Sequence, residues 1–281
     1  MSSVVRRPYA RARRLARAML WECGIDAPSK IDPIILVKRK QIEVAFGRLD
    51  GASGRIFRDH DRAFIRVSDQ IVQDGRVRFT IAHEVGHFLL RHRLPQGQAG
   101  SENLVPFDTH QEREADIFAT EFLMPEEWVA PFCGARISFD GVHDVATTFR
   151  TSPVASAVRY AEVSPTSCAV VYSEKAHVKW AKRSRSFPHR IPPKLRIGPG
   201  AVAFDYDGRN ALKPSPREVP ASAWFAPHVA AGIHRLVEHA EHVPEPGWGG
   251  VLSLLASDST SDSFTETPSF GDDASVGTAT K

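Results

Sequence analysis

His83-Glu84-Val85-Gly86-His87 is the stretch of this chain whose residue types and spacing can do chemistry. Two histidines four apart on a helix project from one face, because a turn takes about 3.6 residues. A single metal ion can accept both imidazoles. Glu84 is rotated by about 100° from His83. That is too far round to ligate comfortably and well placed to hold a water beside the metal. This is the H-E-x-x-H arrangement with which zinc peptidases activate water. Such patterns also arise by chance, and helix histidines are usually surface groups or satisfied core groups. Here the motif sits in an apolar run, Phe79 to Leu90, and contains Gly86. A glycine costs about 1 kcal/mol in a helix interior, so one placed between the histidines implies that something packs closely there.

A peptidase zinc site needs three protein ligands and one open position. A later histidine in the metzincin spacing is excluded, because Leu90 and Arg93 stand where a glycine and the histidine would have to be. The alternative is a carboxylate from the segment His110–Pro125. Its Ala115, Phe118, Ala119 and Phe122 form an apolar stripe. Glu112 and Glu114 flank that stripe on opposite sides, so helical geometry leaves both open.

The elements that must position these residues follow from the pattern. Residues 9–22 read as an amphipathic helix with Ala12, Leu15, Ala16, Met19 and Leu20 buried. Asp32-Pro33 reads as an N-cap and first position of a helix ending near Arg39. Ile42–Leu49, Gly54–Phe57 and Arg62–Val67 read as strands. The third can be an exposed edge that takes a substrate strand, or an interior strand. The motif helix spans about Val77–Arg91, a polar loop Pro95–Pro106 follows, and a second long helix spans Thr109–Met124. Shorter helices are expected at Glu126–Phe132, Val142–Phe149 and Val154–Val163. From Ser167 the pattern turns to strands, first Cys168–Tyr172 and later Val202–Tyr206. Residues 257–281 are polar and poor in large apolar groups, which predicts disorder.

At 281 residues the chain suggests two or three domains, and no apolar stretch is long enough to cross a membrane. Arg6, Arg7, Arg11, Arg13, Arg14 and Arg17 precede any acid without an apolar segment behind them, so no secretory signal is expected. Cys23, Cys133 and Cys168 form no C-x-x-C and read as buried thiols of a cytoplasmic protein. The net charge is +3, with a basic first hundred residues and an acidic tail. That asymmetry suits a solvated surface or an acidic partner.

Arg78-Phe79-Thr80-Ile81-Ala82-His83-Glu84-Val85-Gly86-His87, followed by Glu114-Ala115-Asp116-x-Phe118-Ala119-x-x-Phe122-Leu123-Met124-Pro125, resembles the ImmA/IrrE family of metallopeptidases. The likeness is good over residues 9–130. It implies His83, His87 and Glu114 as ligands of Zn2+, with Mn2+ allowed by the same set, and Glu84 as the catalytic base. It implies an α+β fold: a zincin-like metallopeptidase domain over 1–125, a helix-turn-helix-like helical domain over 126–164, and an α/β GAF-like sensor domain over 165–256. The tail 257–281 stands apart. This module order is similar to that of the family's radiation- and desiccation-response regulators. The implied activity is site-specific cleavage of a helix-turn-helix repressor, which releases a DNA-damage response. A monomer is expected, and a small signal molecule at the C-terminal domain. Tyr160, Tyr172 and several arginines are candidate oxyanion donors. The competing reading is a DNA-binding regulator whose peptidase-like module is structural or sensory. For that role residues 154–163 offer little beyond Ser156 and Arg159 to read base edges.

Overall fold

The computed structural model describes residues 9–59, 62–94, 109–134, 138–206, 212, 215–243 and 249–259. The loop expected at Pro95–Pro106, and the expected tail from residue 260 on, lie outside them. The backbone forms two units. The first holds the described residues up to Trp128 together with Ala146–Ser152. The second holds Val129–Val145 and the described residues from Pro153 on.

In the first unit, α1 (Ala10–Glu22) buries Ala12, Ala16, Met19 and Leu20, and Leu15 is half-buried. The helix α2 (Pro33–Arg39) starts as its sequence demands: the Asp32 carboxylate accepts the Ile34 N–H at 2.9 Å, and Pro33 needs no donor partner there. Strands β1 (Ile42–Gly47), β2 (Gly54–Asp59) and β3 (Arg62–Ser68) form a sheet of order β1-β3-β2. Of the two readings that the sequence leaves open for β3, edge or interior, the structure gives the interior one. The strand lies inside, parallel to β1 and antiparallel to β2. Its alternating apolar residues Ala63, Ile65 and Val67 are buried, and alternation of this kind does not reveal strand order.

Helix α3 (Asp74–Leu89) packs on this sheet and against α4 (Thr109–Leu123), and α1 packs along α4. Three arginines of α1 are consumed inside the unit. Arg13 and Arg17 reach the fully buried Glu121 of α4 at 3.1 and 2.7 Å, and Arg11 donates to the Leu90 carbonyl at 2.8 Å. A charge as deep as Glu121 requires such partners. The short α5 (Glu126–Val129) follows. Arg78, buried on α3, donates to the carbonyls of Ile31, Phe149 and Arg150 at 2.6, 2.6 and 2.8 Å. It thereby caps the C-terminal end of α6 (Phe139–Phe149).

The second unit contains α7 (Pro153–Val163) and a fully antiparallel sheet of order β5-β4-β8-β7-β6. Its strands are β4 (Cys168–Glu174), β5 (His177–Arg183), β6 (Arg217–Glu218), β7 (Ile233–Val243) and β8 (Gly250–Ser259). Residues 257–259, expected to begin the disordered tail, complete β8. Val171, Val178, Phe187, Ile197, Trp224, Leu236 and Leu255 are the centre of its core. The stretch expected as a strand at Val202–Tyr206 is instead a helical turn, α8 (Val202–Asp205). Its first N–H groups, from Val202 and Ala203, donate to the Glu238 carboxylate of β7 at 2.8 and 3.0 Å. A cap supplied from so far along the chain is invisible to local pattern. A final turn, α9 (Pro227–Ala230), precedes β7. Among the described residues no helix is long and apolar enough to cross a membrane.

Candidate metal centre

Helix α3 presents His83 and His87 one turn apart, and their Nε2 atoms lie 3.0 Å from each other. Two imidazole nitrogens that close must share something between them, a proton or a cation. A carboxylate joins them from α4. The Glu112 oxygens are 3.3 Å from His83 Nε2 and 3.6 Å from His87 Nε2. Ligand atoms of His83, His87 and Glu112 all fall within 4.8 Å of one another. The two histidines are thus brought together as their spacing predicts.

Glu114, implied by the resemblance as the third ligand, is placed elsewhere. Its Oε2 lies 3.1 Å from His92 Nε2 and 3.7 Å from His110 Nδ1. The two glutamates are two residues apart, so they leave α4 on opposite flanks. The packing of α4 decides which flank meets the histidines. Gly86 sets that packing, because a Cβ built on it would stand 3.1 Å from Phe118 Cδ1 and 3.3 Å from Ala115 Cα. The missing side chain lets the backbone of α4 come against α3 beside the histidines, as the cost of a helical glycine implied.

The other ring nitrogens are held too. His83 Nδ1 lies 2.9 Å from Asp116 Oδ1, and His87 Nδ1 lies 2.9 Å from His92 Nδ1. Asp116 and His92 carry roles that the motif spacing did not assign. For Asp116 a signal existed: it stands four residues after Glu112, hence on the same helix face. For His92 there was none, since it lies past the end of α3. Gly54 is a third such residue. A Cβ there would collide with Thr80 and Glu84, so the glycine brings β2 down onto the glutamate of the motif.

The electrostatics follow from burial and neighbours. For His83, burial opposes the charged form, yet hydrogen bonds to Asp116 and Glu112 outweigh it and raise the pKa to about 10. Burial, with His83 and His92 adjacent, pushes His87 down to about 2. One ring therefore carries a proton that a cation would displace, and its neighbour stays a neutral donor. Glu84 is buried, which pushes its carboxyl up to about 7 against the pull of His83 and the Ile56 backbone N–H. A carboxylate poised near neutrality can both take and return a proton.

The remaining candidates are carried by other elements. Tyr160 and Tyr172 belong to the second unit. Tyr160 is buried, against Gly141, and Tyr172 donates to Glu174 at 3.1 Å. Ser156 and Arg159, the residues of α7 considered for reading bases, are 0% and 1% exposed. Cys133 and Cys168 are buried free thiols, and burial pushes Cys133 up to about 12, far from thiolate reactivity.

Residues 37–160 match the family model of the IrrE N-terminal-like domain, Peptidase_M78. The matched stretch takes in α3, α4 and every residue of the cluster. No curated protein matches the chain significantly.

Proposed function

We propose that this chain is a metal-dependent endopeptidase with the centre His83, His87 and Glu112, and that it cuts a helix-turn-helix repressor protein. One observation carries the metal reading. Both Nδ1 atoms are engaged by neighbours while both Nε2 atoms converge with a carboxylate on one point. That is a donor set of two neutral nitrogens and one oxygen, which suits Zn2+ and also Mn2+. A cation held there supplies Lewis-acid polarisation of water and of the scissile carbonyl. Glu84 takes the proton of the attacking water and delivers it to the leaving amine. Its place beside β2 supports a substrate path as well. Strand β2 is an edge of its sheet, and an extended peptide can add to such an edge next to Glu84.

The match over residues 37–160 supports the peptidase class. The repressor substrate, the radiation and desiccation response and a GAF-like sensory role for residues 165–256 rest on the family resemblance. Burial of Ser156 and Arg159 gives the DNA-reading alternative no support from α7. The test is incubation of the zinc-loaded protein with helix-turn-helix repressors, with and without chelator. Cleavage at one site that chelator abolishes is the expected result. Intact repressor under both conditions, with specific promoter binding, would replace this reading by the DNA-binding one.

A further inference from the structure

The free edge of β2 has a register that decides which of its residues an added strand would face. The Ile56 N–H goes to the Glu84 carboxylate and not to β3, although the two strands pair at Ile56 and Ile65. In an antiparallel ladder, residues that point their N–H and C=O at the neighbour alternate with residues that point both away. Ile56 is one that points away, and so is Arg58. A peptide added antiparallel at this edge can pair with the N–H and the carbonyl of Arg58, about two residues along from the point where Glu84 meets the strand.

The side chain of Arg58 lies on the face of the sheet that α3 occupies. Gly54, Ile56 and Arg58 share that face by alternation. A Cβ on Gly54 would meet Thr80 and Glu84 of α3, Ile56 is buried, and the Arg58 guanidinium stands 5.7 Å from the centre of the Phe88 ring. Phe88 follows His87 directly on α3. Arg55 and Arg62 of the same sheet are spent on the Asp50 carbonyl and the Glu43 carboxylate, at 3.2 and 3.3 Å. Arg58 is exposed, and a guanidinium held over a ring still offers N–H edges from which a carboxylate can accept twice. A peptide residue directly opposite Arg58 would put its side chain on the same face, with the two Cβ atoms about 5 Å apart. Opposite charges attract at that spacing, and a lysine there would meet a like charge.

We propose that Arg58 is a specificity-determining residue, which selects an acidic side chain in the substrate about two residues from the bond that is cut. The proposal rests on the peptidase reading above and names the class of segment it takes: an extended peptide with an aspartate or glutamate in register with Arg58.

The test uses the zinc-loaded full chain on a library of randomised synthetic peptides, with the cuts read by mass spectrometry. Aspartate and glutamate should be enriched about tenfold at one fixed distance from the cut, the scale of a hydrogen bond to a charged group. Arg58→Ala should flatten that preference, and Arg58→Glu should turn it toward lysine and arginine at the same position. A damaged fold would not invert a preference. Cuts without an acidic preference, or a preference that Arg58→Glu leaves unchanged, overturn the proposal. The same library passed over immobilised Glu84→Gln protein reads the site without cleavage. Retained peptides should be rich in acids, and the double variant Arg58→Glu/Glu84→Gln should retain basic ones. That pattern of retention, with no cleavage by the wild type, would uphold Arg58 and defeat the peptidase reading. Neither cleavage nor acid-rich retention overturns the proposal.

Discussion

Glu84 on α3 and Glu238 on β7 are 6% and 0% exposed, and burial pushes the carboxyl of each upward. Their surroundings differ. Glu238 receives the N–H groups of Val202 and Ala203, the indole N–H of Trp224 and the hydroxyl of Ser253, at 2.8, 3.0, 3.3 and 2.8 Å. Its lone pairs are spent on joining α8, the Trp224 turn and two strands. Glu84 has the Ile56 N–H, and its remaining neighbours are the charges of His83, Glu112 and Arg55. Two carboxylates of equal depth are thus a joint in one unit and, in the proposed reaction, a proton acceptor in the other. The number of donors aimed at each separates the roles, and burial does not.

The contrast can be broken by substitution. The largest effect is expected from Glu84→Gln, which should keep fold and metal stoichiometry and lower cleavage by about 10²- to 10⁴-fold; cleavage at the wild-type rate would make Glu84 a structural group after all. Glu238→Ala should do the reverse. It strands buried donors and should cost about 3–5 kcal/mol of stability in thermal or denaturant unfolding, with Zn2+ stoichiometry retained. A neutral effect there would dissolve the distinction from the other side. Gly86→Val comes next. It forces α4 from α3 and should destabilise by about 1–3 kcal/mol, and a Zn2+ affinity that stayed at the wild-type level would show that the histidines do not depend on that close approach.

The smallest effect is a pH dependence in the second unit. His239 is buried, its Nδ1 accepts the Phe139 N–H at 3.2 Å, and its Nε2 lacks a partner among the described residues. Burial, aided by His143, lowers its pKa, although Glu241 and Asp140 pull the other way. The folded chain therefore resists a proton that the unfolded chain accepts near pH 6.5. Stability from this group is present above that pH and is lost as pH falls through the folded value. His239→Asn keeps an acceptor and cannot titrate, so unfolding curves from pH 8 to 5 should show a flatter slope for the variant. Parallel slopes would clear His239 of any such role.

Much of the first unit was legible in sequence because its signals are local. The spacing of His83 and His87 needs only one helical turn, Asp32-Pro33 is a cap written in two residues, and Gly86 announced a close neighbour. The choice between Glu112 and Glu114 was not legible, since it depends on how α4 is rotated against α3. The resemblance pointed to Glu114, and the packing at Gly86, Ala115 and Phe118 brings Glu112 to the cluster. Strand order hid the interior place of β3. Val202–Asp205 misled for a related reason: the group that makes it helical, Glu238, lies 36 residues from Val202.

Arg78 bears on how the protein is made. Its guanidinium is satisfied by Ile31 before it in the chain and by Phe149 and Arg150 well after it. On a ribosome the helix that carries the histidines emerges long before two of those three carbonyls exist. Until residue 150 is free of the exit tunnel, α3 holds a cation that it cannot bury. The first unit therefore cannot mature as an N-terminal module in its own right. Its completion waits for a stretch of chain that arrives only after synthesis of the second unit has begun.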